Sequence, residues 1–510
     1  MEHPLVTLME NQSVEPILYC SAENKAGKSL FKTKNSIYIN DFGYINYTPK
    51  DLGEMVSHFQ SNISSMSKKR ENNLLTILLP LSVDLYVTML AAFNMGYSLA
   101  FFDPSRGVRS SINTLKRVKP EIIITSSKSW FVNLLLRDSL KFSTFGTIIP
   151  GIHKLTNDSI KHTQPFKYHP IDPLQKAITT FSSGSTGKLK TVTRTNEILY
   201  QQRKAILKEV NYTNDDIEYA TLPLFLLGSL IEAKPVILPE ITSSRPDLIN
   251  QKSASKSFQL MEDLTATLIN GAPKYLEVLS SFINEDLNLS IRKVFVGGAP
   301  VSLSFMRYLE DTWHAEVISA FGSTEAEPIS TFSTRQIDSI KKKYGPYCIG
   351  KPISSINFSP VWKYTFYINR EEIPASEVIV SGLNVATIEG KNHLSTGDLV
   401  IQDNYNNLWL VGNCSNLIIV NGLNISPYDL EYSVLNKFSL NCAIKQSSIE
   451  ENPIVAFVES HKIKQNMKQD IKQIINQKLP TNHRVIIKVI RKIPRDTRHR
   501  SKILYHQLRC

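Results

Sequence analysis

Hydrophobic residues cluster in short runs along this chain, and residues 73–102 form one of them, NLLTILLPLSVDLYVTMLAAFNMGYSLAFF. LLTILLP is typical of a buried strand, LYVTMLAAFNMG predicts a helix that stops at Gly96, and YSLAFFD predicts a second strand. A membrane span needs about 20 mostly apolar residues in a row, whereas Pro80, Asp84 and Asn94 interrupt this run. The segment therefore predicts a strand–helix–strand unit of a parallel sheet.

Similar units recur, and several of the predicted strands run into loops that contain glycine. EIIIT (121–125) and GTIIPG (146–151) are further candidate strands. The segments KAITTFSSGSTGKLK, TATLINGAP, RKVFVGGAP and AEVISAFGSTEAEP each lead from a strand into such a loop. Because loops at the carboxyl ends of parallel strands bind ligands in α/β sheets, these four loops predict one composite site.

From about residue 400 the pattern changes to short alternating strands, NLWLVG and LIIVNG. A helix (YDLEYSVLNKF), a strand (PIVAFVES), a Lys/Gln-rich helix to about residue 479 and a last strand (VIIKVI) follow. We therefore predict an α/β fold with a large N-terminal domain of layered sub-lobes, residues 1–411. A small, mobile α+β domain, residues 412–510, would follow a junction near Gly412.

Composition fits an ordinary globular protein of more than one domain. The chain has 510 residues, 42% hydrophobic and 20% charged, which one compact core does not usually accommodate. No basic start precedes an apolar segment, and the five cysteines form no CxxC pair or metal-ligand cluster. We therefore expect no secretory signal and reduced thiols in a cytoplasmic setting.

The net charge of +12 raises the question of a nucleic-acid partner. Much of the excess lies near the C-terminus, and a basic patch can bind phosphate polymers through counterion release. A solvated, soluble surface explains the same charge, and we prefer that interpretation. The basic residues concerned are Lys488, Arg491, Lys492, Arg495, Arg498, Arg500 and Lys502.

The candidate phosphate-binding element is the loop SSGSTGKLK. Its hydroxyls and glycines offer O–H and backbone N–H donors in a tight turn, and its lysines can neutralise phosphate charge. It is not a Walker A loop, because Gly184 and Gly187 lie too close together and Leu189 follows Lys188. A flexible Ser/Gly turn would explain the loop if it stood alone. The loop comprises Ser182, Ser183, Gly184, Ser185, Thr186, Gly187, Lys188, Leu189 and Lys190.

Three further elements suit a nucleotide. Phe321-Gly322-Ser323-Thr324-Glu325 places an aromatic ring, hydroxyls and a carboxylate together, which suits adenine stacking, an α-phosphate contact and a Mg²⁺ ligand. In Ser395-Thr396-Gly397-Asp398, the carboxylate can accept two ribose hydroxyls. Lys502 lies in the basic tail. Each of these is more often structural when found alone, but here they occur together and in order.

That order resembles the superfamily of acyl-CoA synthetases, peptide-synthetase adenylation domains and luciferases. The matching elements are SSGSTGKLK, GGAPV, FGSTE, STGD and a terminal proline-to-lysine segment. YINYTPKDL, SEVIVSG and LVGNCSNLIIVNGLNISPYDLE are similar to further landmarks of that superfamily. The resemblance extends over nearly the whole chain, and it implies ATP-dependent, AMP-forming activation of a carboxylic acid to an acyl-adenylate.

The resemblance also implies a role for each matching position. Ser182 and Ser183 to Lys190 would hold the β- and γ-phosphates. Gly298, Ala299 and Pro300 would line the adenine pocket with Phe321 and Gly322. Thr324 would bind the α-phosphate, Glu325 the Mg²⁺ and Asp398 the ribose, while Lys502 would bridge the carboxylate and the α-phosphate. That arrangement suits the chemistry, since a carboxylate must attack an anionic phosphorus.

Four departures from the superfamily pattern concern the second half-reaction. The hinge Gly-Arg or Asp-Arg is Gly412-Asn413, and the polar pivot is matched by Ser415. Ile419 stands where some members carry a lysine used in thioester formation, and an aromatic–His pair is Phe225-Leu226. These changes argue against a coenzyme A half-reaction and leave the adenylation residues untouched.

The terminal segment Pro494-Arg495-Asp496-Thr497-Arg498-His499-Arg500-Ser501-Lys502 is longer than in common members. Its Asp-x-Arg-His-x-x-Lys pattern resembles the β-lactone synthetases of bacterial olefin biosynthesis, in which the substrate's own β-hydroxyl attacks the adenylate. Charges in a basic tail explain Arg498 and His499 equally well.

Three alternatives therefore remain open. The acceptor is external (coenzyme A, a carrier-protein thiol or an amine), or it is the substrate's own hydroxyl, or the chain is a degenerate nucleotide- or nucleic-acid-binding protein. The apolar run PLFLLGSLIEAKPVILP (223–239) suits a fatty or 3-hydroxy fatty acid, although a buried helix–strand connection would have the same composition.

Overall fold

The structure is a computed structural model of the whole chain. It divides into two compact units. The first comprises Met1–Gly271, Ser281–Arg292 and Ala386–Gly390, and the second the remainder. The residues that the structure describes are 15–21, 38–39, 44–64, 73–79, 81–102, 108–125, 140–143, 153–154, 172–183, 189–284, 286–340, 343–386, 393–447, 452–496 and 500–509.

The first unit contains thirteen described strands and six described α-helices. The strands are β1 (Leu18–Ser21), β2 (Tyr38–Ile39), β3 (Tyr44–Tyr47), β4 (Leu74–Leu78), β5 (Ser98–Phe102), β6 (Ile122–Thr125), β7 (Leu140–Ser143), β8 (His153–Lys154), β9 (Lys176–Ser183), β10 (Leu189–Thr195), β11 (Glu218–Ala220), β12 (Val236–Ile237) and β13 (Leu268–Gly271). The helices are α1 (Pro49–Ser64), α2 (Val83–Asn94), α3 (Val108–Val118), α4 (Asn196–Val210), α5 (Pro223–Ile231) and α6 (Gln251–Asp263).

A seven-stranded sheet with the order β10-β9-β5-β4-β6-β7-β8 lies in the first unit. Its pairings are parallel except that β10 runs antiparallel to β9. The run 73–102 forms β4, α2 and β5, with β4 and β5 parallel, as the sequence predicts. The Ser82 hydroxyl accepts the N–H of Leu85 and caps α2, which is buried along its whole length.

Within the described part of the chain, no helix combines the length and the apolar character that crossing a membrane would require. EIIIT is confirmed as the buried strand β6, whereas the candidate strand GTIIPG lies outside the described residues. A second group of strands in this unit is built on parallel pairs of β12 with β1 and β11, and of β11 with β13. The apolar run 223–239 forms helix α5 and strand β12 there, and most of α5 is buried.

The second unit contains the remaining described elements. Its strands are β14 (Lys293–Gly297), β15 (Glu316–Ser323), β16 (Ala326–Ser333), β17 (Cys348–Pro352), β18 (Ile356–Phe358), β19 (Val361–Ile368), β20 (Glu371–Gly382), β21 (Leu394–Gln402), β22 (Leu408–Asn413), β23 (Ile418–Val420), β24 (Leu423–Ile425), β25 (Cys442–Gln446), β26 (Ile454–Glu459) and β27 (Val485–Ile490). Its α-helices are α7 (Pro273–Ser280), α8 (Leu303–Trp313), α9 (Pro427–Phe438) and α10 (Gln465–Gln477).

One continuous series of strand pairs runs through this unit. β14 pairs in parallel with β15, and antiparallel pairs then connect β15, β16, β17, β22, β21 and β20 in that order. Antiparallel pairing begins before the predicted change to short alternating strands near residue 400, because it already connects β15 with β16 and continues through β17, β19 and β20. Frequent polar residues on their exposed faces obscured these strands in the sequence.

The last hundred residues form the predicted smaller α+β arrangement. β25 and β26 are antiparallel, β26 and β27 are parallel, and α9 and α10 supply buried residues to the same core. Leu430, Val434, Ile471 and Ile475 are almost fully buried there. Gly412 lies within β22 and inside the second compact unit, so the domain junction near Gly412 and the mobility of the domain stay predictions.

Candidate active site

The ends of the candidate phosphate loop lie on two neighbouring strands. Ser182 and Ser183 end β9, and Lys190 is the second residue of β10. Ser183 pairs with Leu189 across this antiparallel ladder, so the strands bring the two ends of the loop together. Gly184, Ser185, Thr186, Gly187 and Lys188 lie outside the described residues, and their assignment to phosphate binding stays a prediction.

The candidate adenine loop and the FGSTE loop begin side by side. Gly297, the last residue of β14, pairs in parallel register with Ala320 of β15. The loop Gly298-Ala299-Pro300 therefore leaves the sheet at the same edge as Phe321, which is partly exposed. This register brings the two predicted parts of the adenine pocket together.

The FGSTE loop is a tight connection between β15 and β16, in which Ser323 pairs with Ala326. A Cβ on Gly322 would lie 2.7 Å from the carbonyl oxygen of Ala326, so only glycine fits without moving the turn. Thr324 and Glu325 are held in this turn and are partly exposed. The turn thus places a hydroxyl and a carboxylate next to each other at the sheet edge.

Around Glu325 the described residues contain no group of three or more His, Cys, Asp or Glu side chains that could hold a metal ion. A single carboxylate nevertheless fits Mg²⁺, which usually takes one or two protein carboxylates and completes its shell with water and nucleotide phosphates. Glu325 would therefore hold Mg²⁺ only together with a bound nucleotide.

Asp398 lies in the first half of β21, in a segment that is fixed by a second carboxylate, Glu377. Glu377 Oε1 accepts the N–H of Gly397 at 3.1 Å and also the hydroxyl of Ser395. The Thr396 hydroxyl accepts the N–H of Asp398 at 3.1 Å and donates to the carbonyl of Val378 at 3.2 Å. Gly397 has a φ of +77°, which glycine adopts readily. These hydrogen bonds fix the backbone of β21 at Asp398.

Three groups act on the Asp398 carboxylate in addition to burial. Burial raises its pKa above the ordinary value, a hydrogen bond from Asn413 and the positive charge of Lys502 lower it, and the charge of Glu377 raises it further. Burial is the largest of these effects, because it removes water from the charged form. The positive charge of Lys502, an exposed lysine 104 residues away in sequence, therefore favours the ionised form of the proposed ribose carboxylate.

Asn413 and Glu377 had no predicted role in the site. Asn413 appeared only as a departure from the expected arginine, and Glu377 lay unassigned within SEVIVSG. Asn413 donates to the Asp398 carboxylate, and Glu377 accepts from Ser395 and Gly397. These bonds depend on the pairing of β20 with β21 and of β21 with β22. Arg498 and His499, the other notable residues of the terminal segment, lie outside the described residues.

The structure shows the surroundings of two of the positions that depart from the superfamily pattern. Ile419, at the position of the thioester-stage lysine, is 48% exposed, and its N–H donates to Gln446 Oε1 at 2.9 Å. Phe225 and Leu226 are buried in α5. An exposed isoleucine offers no positive charge to an anionic acceptor.

Comparison with known proteins gives the family. The profile of the AMP-binding enzyme family matches residues 28–360, which include the loop 182–190, Glu325 and the GGAP loop. This chain belongs to the AMP-binding enzyme family. The predicted membership of the AMP-binding superfamily is therefore confirmed, whereas the β-lactone synthetase branch has no such support.

Among curated relatives, 2-succinylbenzoate–CoA ligase of Arabidopsis thaliana (chloroplastic/peroxisomal) is 25% identical over 283 residues, which are 49% of this chain and 49% of the relative. Acyl-CoA ligase ppsA of Aspergillus oryzae is 30% identical over 274 residues, 49% of this chain and 46% of the relative. The chain therefore spans about half the length of these curated relatives.

Solved structures confirm the fold class. O-succinylbenzoate coenzyme A synthetase (MenE) from Bacillus subtilis, in complex with AMP, matches with a TM-score of 0.77 at 18% identity, covering 100% of this chain and 98% of MenE. The predicted α/β fold, with a large N-terminal domain and a smaller C-terminal one, agrees with this likeness.

Proposed function

We propose that this protein activates a carboxylic acid with ATP and forms an acyl-adenylate. One oxygen of the substrate carboxylate bonds to the α-phosphorus of ATP, the bond from that phosphorus to the bridging oxygen breaks, and pyrophosphate leaves. No general base is needed, because a carboxylic acid is already ionised at pH 7. The observation that carries this proposal is the register of β14 with β15, in which Gly297 pairs with Ala320, so that the GGAP loop and the FGSTE turn leave the sheet at the same edge.

In this proposal each matched residue keeps the role that the resemblance implies. Asp398 accepts ribose hydroxyls, Phe321 and the GGAP loop contact adenine, and Thr324 contacts the α-phosphate. Mg²⁺, held by Glu325 and the phosphates, would neutralise charge on the leaving pyrophosphate. Lys502 offsets the repulsion between the substrate carboxylate and the α-phosphate, which is electrostatic stabilisation by a fixed charge.

The finer proposal for the substrate is a fatty or 3-hydroxy fatty acid. It is supported by the apolar segment 223–239, whose helix α5 is apolar and largely buried. Relatives of this chain include enzymes named for other acids, 2-succinylbenzoate–CoA ligase and a 4-coumarate–CoA ligase of Humulus lupulus. A panel that includes aromatic and dicarboxylic acids is therefore part of the test.

For the second step, we propose an acceptor other than coenzyme A. The exposed Ile419 supports this, because a thioester-stage cation is missing at that position. In the internal form of the reaction, the substrate's 3-hydroxyl oxygen bonds to the acyl carbon, its proton passes to solvent, and AMP leaves with the carbonyl-to-phosphate oxygen. A β-lactone results. A carrier-protein thiol or an amine acceptor is the external alternative.

The test is pyrophosphate release with MgATP, the acid panel and no added acceptor. Sustained turnover on 3-hydroxy acids alone supports lactone formation. A single stoichiometric burst, extended by a thiol or an amine, identifies an external acceptor, and turnover that strictly requires coenzyme A contradicts the proposal for the second step. Release with none of the acids would contradict acid activation.

The alternative of a binding protein without ligase activity has a separate test. A ligand that binds only the folded state raises the melting temperature. MgATP stabilisation combined with no pyrophosphate release from any acid would favour that alternative. Stabilisation followed by release would contradict it.

A further inference from the structure

We infer that Asp496 is the positioning residue of the catalytic lysine, an inference that rests on the proposed function. Oδ1 of Asp496 accepts two successive backbone N–H groups, that of Ser501 at 3.0 Å and that of Lys502 at 2.8 Å. A carboxylate that receives two N–H donors fixes the backbone more firmly than a neutral acceptor does, because the hydrogen bonds are charge-assisted. The acceptor is thus bonded directly to the residue that carries the reactive ammonium group.

Backbone hydrogen bonds complete the attachment of Lys502 to Asp496. The N–H of Asp496 donates to the carbonyl of Lys502 at 2.8 Å, and the N–H of Arg500 donates to the carbonyl of Asp496 at 3.1 Å. Arg495 Nη1 also donates to the carbonyl of Ser501 at 3.0 Å. Lys502 is therefore held on both its N–H and its carbonyl by one residue, Asp496, while its side chain stays exposed.

The base of this arrangement is anchored in a packed core. Ile493 and Leu508 are buried with Phe457, and Ile503 packs against them. The N–H of Leu504 donates to the carbonyl of Pro494 at 2.9 Å. The residues just before Asp496 are therefore paired with the residues just after Lys502. Because the residues on both sides are anchored in this core, the hydrogen bonds of Asp496 set the backbone conformation at Lys502.

Fixing the Lys502 backbone matters because this lysine has a long, exposed side chain. Such a side chain samples many positions, and a fixed backbone reduces the number of positions that its ammonium group can reach before the reaction begins. The positive charge of the lysine also favours the ionised form of Asp398. Asp496 therefore acts through Lys502 and needs no contact with the substrate itself.

The experiment is a double-mutant cycle in the full-length protein, using Asp496→Ala, Lys502→Ala and the double variant. We expect Asp496→Ala to slow pyrophosphate release by about 10- to 100-fold, because small misplacements of a catalytic group have effects of this size. The dissociation constant for MgATP should stay within about threefold of the parent value. In the Lys502→Ala background, Asp496→Ala should produce no further loss.

Two variants separate positioning from general damage. Asp496→Asn keeps an acceptor oxygen without the charge, and its rate should fall between those of Asp496→Ala and the parent. Asp470→Ala removes an exposed carboxylate from α10 and should behave like the parent. An equal loss from Asp496→Ala in both the parent and the Lys502→Ala backgrounds would overturn the inference, as would a parental rate for Asp496→Ala.

Hydrogen–deuterium exchange provides a readout that does not depend on activity. Asp496→Ala should speed exchange in a peptide covering Ser501 and Lys502, and Asp470→Ala should not. Unchanged exchange would overturn the positioning role even if the parent activates no acid. Absence of pyrophosphate release from the parent, with faster exchange in Asp496→Ala, would instead contradict the proposed function alone.

Discussion

The side-chain amide of Asn413 donates from Nδ2 to Oδ1 of Asp398 at 2.9 Å, at the position where the family resemblance leads us to expect an arginine. Its oxygen accepts both the N–H of Ser415, at 3.0 Å, and the Ser415 hydroxyl, at 2.6 Å. The amide is therefore oriented from both ends. It connects the proposed ribose carboxylate with the first turn after β22, using a neutral donor where a guanidinium would carry charge.

Replacing Asn413 with leucine removes this hydrogen bond at nearly constant volume. We expect ATP affinity to fall by about fivefold or more, because hydrogen bonds to charged groups contribute about 1.5–3 kcal/mol and this one is partly solvated. Isothermal titration with MgATP and no acid measures the change. Asn436→Leu, on the exposed face of α9, is the matched control. Equal affinities for the two variants would contradict the role of Asn413.

The same variant has a predicted pH signature. Ionised Asp398 is the form that accepts ribose hydroxyls, so ATP affinity should weaken as pH falls toward its pKa. Burial already raises that pKa, and the Asn413 hydrogen bond lowers it. In Asn413→Leu the pKa should rise further, so the loss of affinity should begin at a higher pH than in the parent. Superimposable pH profiles would argue against this coupling.

Removal of the Lys502 ammonium group tests the catalytic assignment. We expect Lys502→Ala to slow pyrophosphate release by about 10²–10³-fold, the range for losing one preorganised transition-state contact. ATP binding should change little, since the lysine acts mainly on the developing bond. Lys492→Ala, an exposed lysine ten residues earlier, removes the same charge and should retain activity. Adenylation by Lys502→Ala at the parental rate would show that the tail is wrongly assigned.

Glycine at position 322 is required by the shape of the FGSTE turn. A Cβ there would lie 2.7 Å from the carbonyl oxygen of Ala326, and backbone must move to admit it. We expect Gly322→Ala to lower the rate of pyrophosphate release at least about tenfold, because the turn carries Thr324 and Glu325. Gly412→Ala is the control, since its Cβ would meet the Phe366 ring at an ordinary 3.5 Å. Similar rates for both variants would contradict this account.

The carboxyl of Glu431 leads us to expect that the free energy of unfolding depends on pH, independently of catalysis. Its Oε1 accepts the N–H of Ile444 and the Tyr505 hydroxyl, each at 2.7 Å. Burial raises the pKa of the Glu431 carboxyl from 4.5 to about 8, against the lowering effects of these bonds and of Arg495. The folded state favours the protonated carboxyl of Glu431. The contribution of this carboxyl to the free energy of unfolding is therefore complete below about pH 4.5 and is lost as pH rises to about 8.

The variant that tests this is Glu431→Gln, which stays neutral at every pH. Between pH 5 and pH 9, the free energy of unfolding of the parent should fall by about 1–3 kcal/mol relative to the variant, after discounting the shift for solvent near this partly exposed residue. Denaturant unfolding of both proteins at both pH values measures this difference in the free energy of unfolding. If the two proteins lose stability equally over this range, the carboxyl does not titrate as described.

The sequence predicts those parts of the fold and of the site that depend on a short stretch of chain. The strand–helix–strand unit 73–102 and the helices α9 and α10 follow from hydrophobic spacing, which reports the burial of neighbouring positions. The loops around Gly298, Phe321 and Asp398 follow from residue types that suit a nucleotide. These features need only a short stretch of chain, and the family match agrees with them.

Contacts between distant residues required the tertiary structure. Asn413 meets Asp398 because β21 and β22 pair in a register with a bulge between Leu399 and Val400, and a shift by one residue would turn the amide to the other face. Burial in the folded chain raises the pKa of the Glu431 carboxyl, and the hydroxyl that donates to it belongs to Tyr505, 74 residues away. The sequence determined which chemical groups are present and in what order, whereas register and burial decided which of them touch and in which protonation state.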